Sequence, residues 1–372
     1  VRVRSDLRSS GIGSAVMRWV GDAAAPALGA AMVQLTSDAA RTDAQGAEGA
    51  PGAAPVGTTV SVRVPGSTGN VGPGFDSLGL ALGHYDTVTL TRIERGLEFD
   101  LSGEGAAGVP RGPEHLVIRA MQAAFDAAGA GELPPLRLRG HNVIPHGRGM
   151  GSSASAVVAG VLAANALLPE PHRLSPDAVL QVCSHMEGHP DNVAPTLLGG
   201  LTISYEDEGR FHSVPVRVHP DVVPVVAVPD FEVATSVARG LLPETVAHRT
   251  AAVNAGRAAL LVAALGERPE LLVPATFDLL HQPYRAQAMA PSFELMTRLR
   301  DLGHAALISG AGPTVLTLAN GAEHAQRVTA AIEEIAADAA SSAHEYQGRT
   351  VTWRVHVLRV PEEGAKVSVS TQ

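Results

Sequence analysis

From Thr58 onward the chain alternates apolar and polar residues in short bursts separated by glycine-rich breaks. TTVSVRVPG (58–66) sets Val60, Val62 and Val64 on one face with polar residues between them. That period of two predicts a half-buried strand, which Pro65-Gly66 is expected to end. HYDTVTLTRI (84–93) and LRLRGHNVIP (136–145) repeat the pattern. Between them the period changes. Val117, Met121, Ala124, Phe125 and Ala128 share one face of a helix over 115–128, closed by Gly129. Ala154 to Ala166 is rich in helix formers, with Ser152 or Ser153 as its expected N-cap. A third helix starts at Ser175-Pro176-Asp177, buries Leu180, Cys183 and Met186, and stops at Gly188 and Pro190. Further strands are predicted near 199–205 and 222–228, then an Ala-rich helix near 245–265. HAALISGAGPTVLTLA (304–319) reads as strand, glycine turn and strand. A helix near 322–338 and the alternating VTWRVHVLRV (351–360) follow. Strands and helices interleave without a regular βαβ beat, so the predicted class is α+β.

Residues 1–57 are different. They are rich in Ala, Gly and small polar residues and end in the linker-like TDAQGAEGAPGAAPVG, so a disordered extension is expected, with at most a weak helix over 14–34. Residues 362–372 are expected to form a flexible tail.

Composition narrows the chemistry. The 372 residues suffice for roughly two domains at about 150 residues each. A net charge of −9, no long basic run and few aromatics argue against a nucleic-acid partner. No apolar run reaches the roughly 18 residues of a membrane span, and no secretory signal is evident, so a cytoplasmic protein with no membrane partner is expected. The single cysteine, Cys183, excludes an internal disulfide framework and a thiolate metal cluster. The single lysine, Lys366, excludes a Gly-Lys-Ser/Thr phosphate loop and a protein-kinase lysine.

Three glycine-rich stretches carry the candidate chemistry. PHGRGMGSSASAVVAG (145–160) leads from a strand into a helix. Its backbone N–H groups and the positive end of the helix would suit an anion, although a tight turn packed with small residues explains it too. VPGSTGNVGPGFDSLGLAL (64–82) offers Asn70 and Asp76 to a cleft, or is a surface turn. SGAGPT (309–314) offers Ser309, Gly310 and Gly312, or is a hairpin turn. In EGHPDN (187–192), Glu187 faces the negative end of its own helix, an unfavourable place by about 0.3–1 kcal/mol that a bound cation would relieve. His189 and Asp191 follow on the turn pinned by Pro190, which is otherwise a solvated polar turn. Arg239 and Arg285 can each clamp a carboxylate or make an ordinary surface ion pair.

In order and content these stretches resemble the galactokinase, homoserine kinase, mevalonate kinase and phosphomevalonate kinase (GHMP) superfamily. PHGRGMGSSASAVVAG is similar to its phosphate-binding loop and SGAGPTVLTL to its third motif. STGNVGPGFDSLGLAL and EGHPDNVAPTLLGG are similar to the homoserine kinase family within it. The resemblance runs from about Thr58 to Pro361. It implies a two-lobed α+β fold, with a ribosomal S5-like N-terminal half and a ferredoxin-like α/β C-terminal half. Residues 58–210 would form the ATP-binding domain and 211–361 the C-terminal domain. It also implies Mg²⁺-dependent transfer of a phosphoryl group from ATP to the hydroxyl of L-homoserine, a step toward threonine, often by a homodimer. Pro145, Gly147, Arg148, Gly149, Met150, Gly151, Ser152 and Ser153 would form the ATP phosphate loop. Glu187 would hold Mg²⁺ with Ser153 and Thr235. Asn70, Asp76, His189, Asp191, Arg239 and Arg285 would form the acceptor pocket, with Asp191, Arg239 and Glu187 as catalytic residues.

Departures from the pattern also carry expectations. Gly69 and Gly66 stand where alanine is usual, Met150 where leucine is, and His115 where an asparagine near the nucleotide is often found. The aspartate–lysine pair with which many superfamily members activate the hydroxyl has no counterpart in a chain whose one lysine is Lys366. Transfer is therefore expected either without a strong base or with Asp191 accepting the proton late. A different kinase of the superfamily, or a nucleotide-sensing protein without activity, are the competing readings.

Overall fold

The computed structural model describes residues 54–341 and 346–371. Most of the expected N-terminal extension, including 14–34, lies outside the described residues. Its last four residues are not loose, because the Ala54 N–H donates to Leu167 O (3.0 Å) and the Gly57 N–H to Arg92 O (2.9 Å).

The first sheet has seven strands. β1 (Thr58–Gly69), β2 (Leu78–Arg92), β3 (Leu97–Gly103), β4 (Leu136–Asn142), β5 (Leu201–Asp207), β6 (Arg210–Val216) and β11 (Lys366–Thr371) run in the order β11-β1-β2-β4-β3, with β5 bridging β2 and β6. β3 and β4 are parallel; the other pairs are antiparallel. Val60, Val62 and Val64 are fully buried, as their alternation predicts. Pro65-Gly66 does not end the strand. The register shifts there and β1 continues to Gly69, a bulge where a proline without an N–H is tolerated.

α1 (Leu116–Ala127), α2 (Ser152–Leu167) and α3 (Pro176–Glu187) cover one face of this sheet. Ser175 caps α3 as expected, its hydroxyl accepting from the Ala178 N–H (3.2 Å). The expected serine cap of α2 is not found. Gly151 occupies that position, and no side chain bonds the first turn.

The second sheet runs β10-β7-β9-β8, with β7 Val222–Pro229, β8 Ala305–Ile308, β9 Val315–Asn320 and β10 Trp353–Val357. β7 reads VVPVVAVP because both its faces are covered. Val226 and Val228 join Leu80, Leu82, Ile144 and Met150 in a core shared with the first sheet. Val225 and Ala227 face the other way, toward Leu295 and Leu299 of α7 (Ala290–Asp301) and Val328 and Ile332 of α8 (Ala322–Ser341). A short α4 (Val193–Leu198) follows the EGHPDN turn. α5 (Thr235–Gly240) and α6 (His248–Gly266) lie between β7 and α7. The α+β class and two-sheet arrangement match the expectation. Among the described residues no helix is long and apolar enough to cross a membrane.

Two expectations about boundaries need correcting. Residues 366–371 are not a free tail. KVSVST alternates like a strand and pairs with β1, Val369 opposite Val60 and Val367 opposite Val62, which covers an otherwise open sheet edge. The boundary at 210/211 falls inside the β5–β6 hairpin, whose second strand is hydrogen-bonded into the first sheet, so that sheet extends to Val216.

Candidate active site

The chain between β4 and α2 is the loop that the glycine spacing picked out. Gly151 sits at φ 74°, a left-handed conformation that starts α2 without a side-chain cap. A Cβ there would lie 2.2 Å from Ser67 Oγ. The first N–H groups of α2 are therefore left for a ligand, at the positive end of a 16-residue helix. The other two glycine stretches brace this loop. Ser309 Oγ donates to Gly149 O (2.6 Å), the Thr314 N–H donates to Arg148 O (3.3 Å), and the Ser67 N–H donates to Met150 O (3.1 Å).

Gly147, Gly149, Gly151, Ser152 and Ser153 line one side of a cavity of about 360 Å³. Glu187, His189 and Asp191 line it from the turn after α3, and Thr235 from the first position of α5. Ser153 Oγ donates to Glu187 Oε1 at 2.6 Å. Burial pushes the Glu187 carboxyl above its ordinary value, with the Asp191 charge adding to it. The Ser153 hydrogen bond and nearby His189 offset this only in part. A divalent cation would reverse that balance. Among the described residues no three His, Cys, Asp or Glu side chains converge to hold a metal. Glu187 with the Ser153 hydroxyl beside it is an incomplete set of hard donors, which suits Mg²⁺ that keeps waters and phosphate oxygens as its remaining ligands.

Asp191 is buried, and both of its oxygens accept hydrogen bonds. Oδ2 accepts the Asn70 N–H (2.9 Å) and Oδ1 accepts His189 Nδ1 (2.5 Å). Burial opposes a charged His189, but the hydrogen bond and charge of Asp191 outweigh it and hold the imidazole above its ordinary pKa. The unusual Gly69 now has a reason, since a Cβ there would fall 2.2 Å from Asp191 Oδ2 and 2.5 Å from Asn192 Nδ2. Glycine permits the carboxylate to close onto the Asn70 backbone.

The β1–β2 loop also lines the cavity, where it meets α5. Asn70 (φ 64°) and Asp76 (φ 53°) are non-glycine residues in left-handed conformations, the kind of strain that a surrounding network must hold. Asn70 Oδ1 accepts the Asp76 N–H (3.0 Å), and its Nδ2 donates to Gly310 O (2.9 Å). Asp76 takes a two-pronged ion pair from Arg239, at 3.0 and 2.7 Å. Arg285 is 2% exposed and donates to Ala238 O (3.2 Å) and Gly310 O (3.2 Å). Both guanidinium groups lie 5.6 Å from the centre of the Phe75 ring.

Of the expected site residues, four do not line this cavity. Pro145 and Met150 are buried, Met150 in the core between the sheets, where an apolar side chain is worth about 2 kcal/mol. Ser309 is a brace, and Arg148 is turned toward the end of β7. Residues beyond the expectation also contribute. Asn192 lines the cavity. His281, fully buried, donates from Nε2 to Gly72 O (2.8 Å) and accepts at Nδ1 from Arg285 Nη1 (3.1 Å). Burial holds its pKa below the ordinary value, which keeps the neutral tautomer that this pattern needs.

Ser152 and Ser153 also border a second, more apolar cavity of about 270 Å³. Val88, Leu101, Val117 and Leu138 line it, with His115 at its edge. His115 caps α1 through Nδ1, which accepts the Val117 N–H (3.3 Å), and burial lowers its pKa. The start of α2 thus separates a polar cavity from an apolar slot.

Residues 115–200 match the profile of the GHMP kinases N terminal domain, and residues 251–338 match GHMP kinases C terminal. Homoserine kinase of Streptomyces coelicolor is 51% identical over 272 residues, 73% of this chain and 87% of that protein. Homoserine kinase of Clavibacter michiganensis is 46% identical over 315 residues, covering 84% of this chain and 95% of the relative. The crystal structure of homoserine kinase from Cytophaga hutchinsonii aligns with a TM-score of 0.72 at 27% identity, covering 83% of this chain and 97% of that one. Both matched profiles fall on the two lobes that enclose the cavity, and the likeness extends over nearly the full length of these relatives. The chain belongs to the homoserine kinase family of the GHMP kinases.

Proposed function

We propose that this chain transfers the γ-phosphoryl group of MgATP to the side-chain hydroxyl of L-homoserine, giving O-phospho-L-homoserine and ADP. One observation carries the reading. One cavity is lined both by an uncapped helix N-terminus with Glu187 and Ser153 and by paired opposite charges, Asp76 and Arg239, with Arg285. The first group suits a triphosphate with its cation, and the second suits the ammonium and carboxylate of an amino acid. The nucleotide base occupies the apolar slot beyond Ser152, with His115 at its rim. Glu187, with Ser153 and Thr235, would hold Mg²⁺, which would supply charge neutralisation for the phosphates.

The residues then act by position. Homoserine inserts its ammonium toward Asp76 and its carboxylate between Arg239 and Arg285, dividing the ion pair of the free protein. His189 and Asn192 border the space left for the hydroxyl, and Asp191 fixes His189 and the Asn70 backbone. The hydroxyl oxygen bonds to the γ-phosphorus as the bond to the departing ADP oxygen breaks. Both oxygens of Asp191 are already engaged, which favours transfer without a strong base, the proton leaving late to an oxygen of the transferred group.

ADP release by the purified protein tests this, with L-homoserine compared against mevalonate, galactose and 4-hydroxybutyrate. Turnover on homoserine is expected, with kcat/KM for 4-hydroxybutyrate lower by roughly 10²–10⁴, because Asp76 would lose its partner. Equal rates for 4-hydroxybutyrate would remove the assigned role of Asp76. Silence on homoserine would reject the reaction.

A further inference from the structure

In a chain whose one lysine lies on an edge strand, the arginine of the phosphate loop is the natural cation for a triphosphate, yet Arg148 points elsewhere. Its Nε donates to Pro229 O (2.9 Å) and its Nη1 to His146 O (2.9 Å). Nη1 also reaches Glu232 Oε1 (3.0 Å), and Nη2 reaches Asp230 O (3.4 Å). Three carbonyls and one carboxylate thus take up the guanidinium, whose side chain is only 15% exposed. Pro229, Asp230 and Glu232 belong to the end of β7 and the five residues between it and α5, the helix that carries Thr235 and Arg239. One backbone bond runs parallel to the tie, from the Val233 N–H to Gly147 O (3.2 Å). The loop that would receive ATP is therefore stitched to the segment that would hold homoserine, and the stitch is a planar fork with donors pointing several ways. An ammonium could not serve all four acceptors in this arrangement.

We propose that Arg148 is a positioning residue that couples the two substrate sites. Nucleotide filling the loop fixes Arg148, Arg148 fixes residues 229–234, and these set Thr235 and Arg239 for the acceptor. Linkage requires the effect to be reciprocal, homoserine tightening nucleotide to the same degree. This rests on the assignment of ATP and homoserine given above.

Calorimetry of homoserine binding, with and without Mg²⁺ and a non-hydrolysable ATP analogue, tests the coupling. The wild type should bind homoserine about fivefold or more tightly with the analogue present. In Arg148→Met this factor should fall toward one, while affinity for the analogue alone stays within about twofold and KM for homoserine rises by about the lost factor. Arg148→Lys, which keeps the charge without the fork, should remain uncoupled. Glu232→Ala removes an exposed carboxylate, is suited to fold where Arg148→Met does not, and should lower the factor in part. Weakened binding of the analogue alone in Arg148→Met, restored by lysine, would make Arg148 a phosphate ligand and overturn the proposal. So would unchanged coupling in Arg148→Lys and Glu232→Ala, or a wild type with no coupling. Wild-type turnover on homoserine separates the two failures: absent turnover rejects the reaction, whereas normal turnover with unchanged coupling rejects the role of Arg148.

Discussion

Replacing Glu187 by glutamine is expected to make the protein more stable and nearly inactive. Glu187 is the last residue of α3, where unpaired carbonyls disfavour a carboxylate by about 0.3–1 kcal/mol. Burial disfavours the charge further, and Asp191 repels it, against partial help from Ser153 and His189. Glutamine keeps the shape and can still accept from the Ser153 hydroxyl, so the variant loses the penalty and retains the contact. The gain at neutral pH is then at least about 0.3–1 kcal/mol from the helix end alone. Its pH dependence has a definite sign. The folded pKa lies above the ordinary 4.5, so below pH 4.5 both proteins carry a neutral side chain and match. As pH rises through the raised folded value, the wild type loses stability and the variant does not. Urea midpoints at pH 4, 5.5 and 7.5, without metal or nucleotide, read this gap directly. With MgADP the order should reverse, because only the wild type offers the cation a carboxylate. Turnover on homoserine should fall by roughly 10²–10³, the usual loss for one fixed electrostatic contact to developing charge. A variant less stable at pH 7.5, or a gap that does not change with pH, would refute the view that the free site holds this carboxylate at a disadvantage.

Two further substitutions probe the frame around it. Gly151→Ala places an L-residue at φ 74°, costing about 1–2 kcal/mol. It also drives Ser67 off Asn192 O, a hydrogen bond worth about 1 kcal/mol. A total loss of about 2–3 kcal/mol in urea, with a raised KM for ATP, is expected, and wild-type stability would show that the loop has another conformation open to it. His189→Gln removes a charged hydrogen bond to Asp191 worth about 1.5–3 kcal/mol. Because the His189 pKa is raised on folding, that contribution is complete below pH 6.5 and declines as pH rises through the folded value. The stability difference between wild type and variant should be larger at pH 6 than at pH 9, and a flat profile would rule out the charged pair.

Periodicity carried most of the fold. Val60, Val62 and Val64 gave β1, and Ser175 with Pro176 gave the start of α3, because each signal is local and has a local cause. The failures are also physical. KVSVST is a strand and not a tail, and a short terminal strand has no signal beyond alternation until β1 offers it an edge. Serine's preference for the cap position points to Ser152 or Ser153, but Gly151 takes that place and leaves the first N–H groups without a side-chain partner. In the site, Glu187, His189 and Asp191 were legible because three polar groups share five residues. His281 was not legible, since its partners Gly72 and Arg285 meet it only through tertiary packing. Arg148 had the right charge at the right loop, and its direction could not be read from sequence at all.

The charge inventory bears on how such a site accelerates a reaction. Three arginines at or beside the cavity are already engaged in the free protein, Arg239 with Asp76, Arg285 with carbonyls and Arg148 with carbonyls and Glu232. The chain's one lysine is on β11, away from the loop. The triphosphate is then met by peptide N–H groups, hydroxyls and a cation on Glu187, all of which depend on the loop keeping one shape. Peptide dipoles stabilise charge only where they are already aimed, since turning them toward it consumes the energy they would supply. This explains why so many bonds around the loop brace it and touch no ligand. Ser309 Oγ, the Thr314 N–H and the Ser67 N–H each hold a carbonyl of the loop from a different segment. In the proposed mechanism, where both Asp191 oxygens are already hydrogen-bonded, rigidity of this frame supplies much of the rate, and positions that merely brace should prove as sensitive to substitution as those lining the cavity.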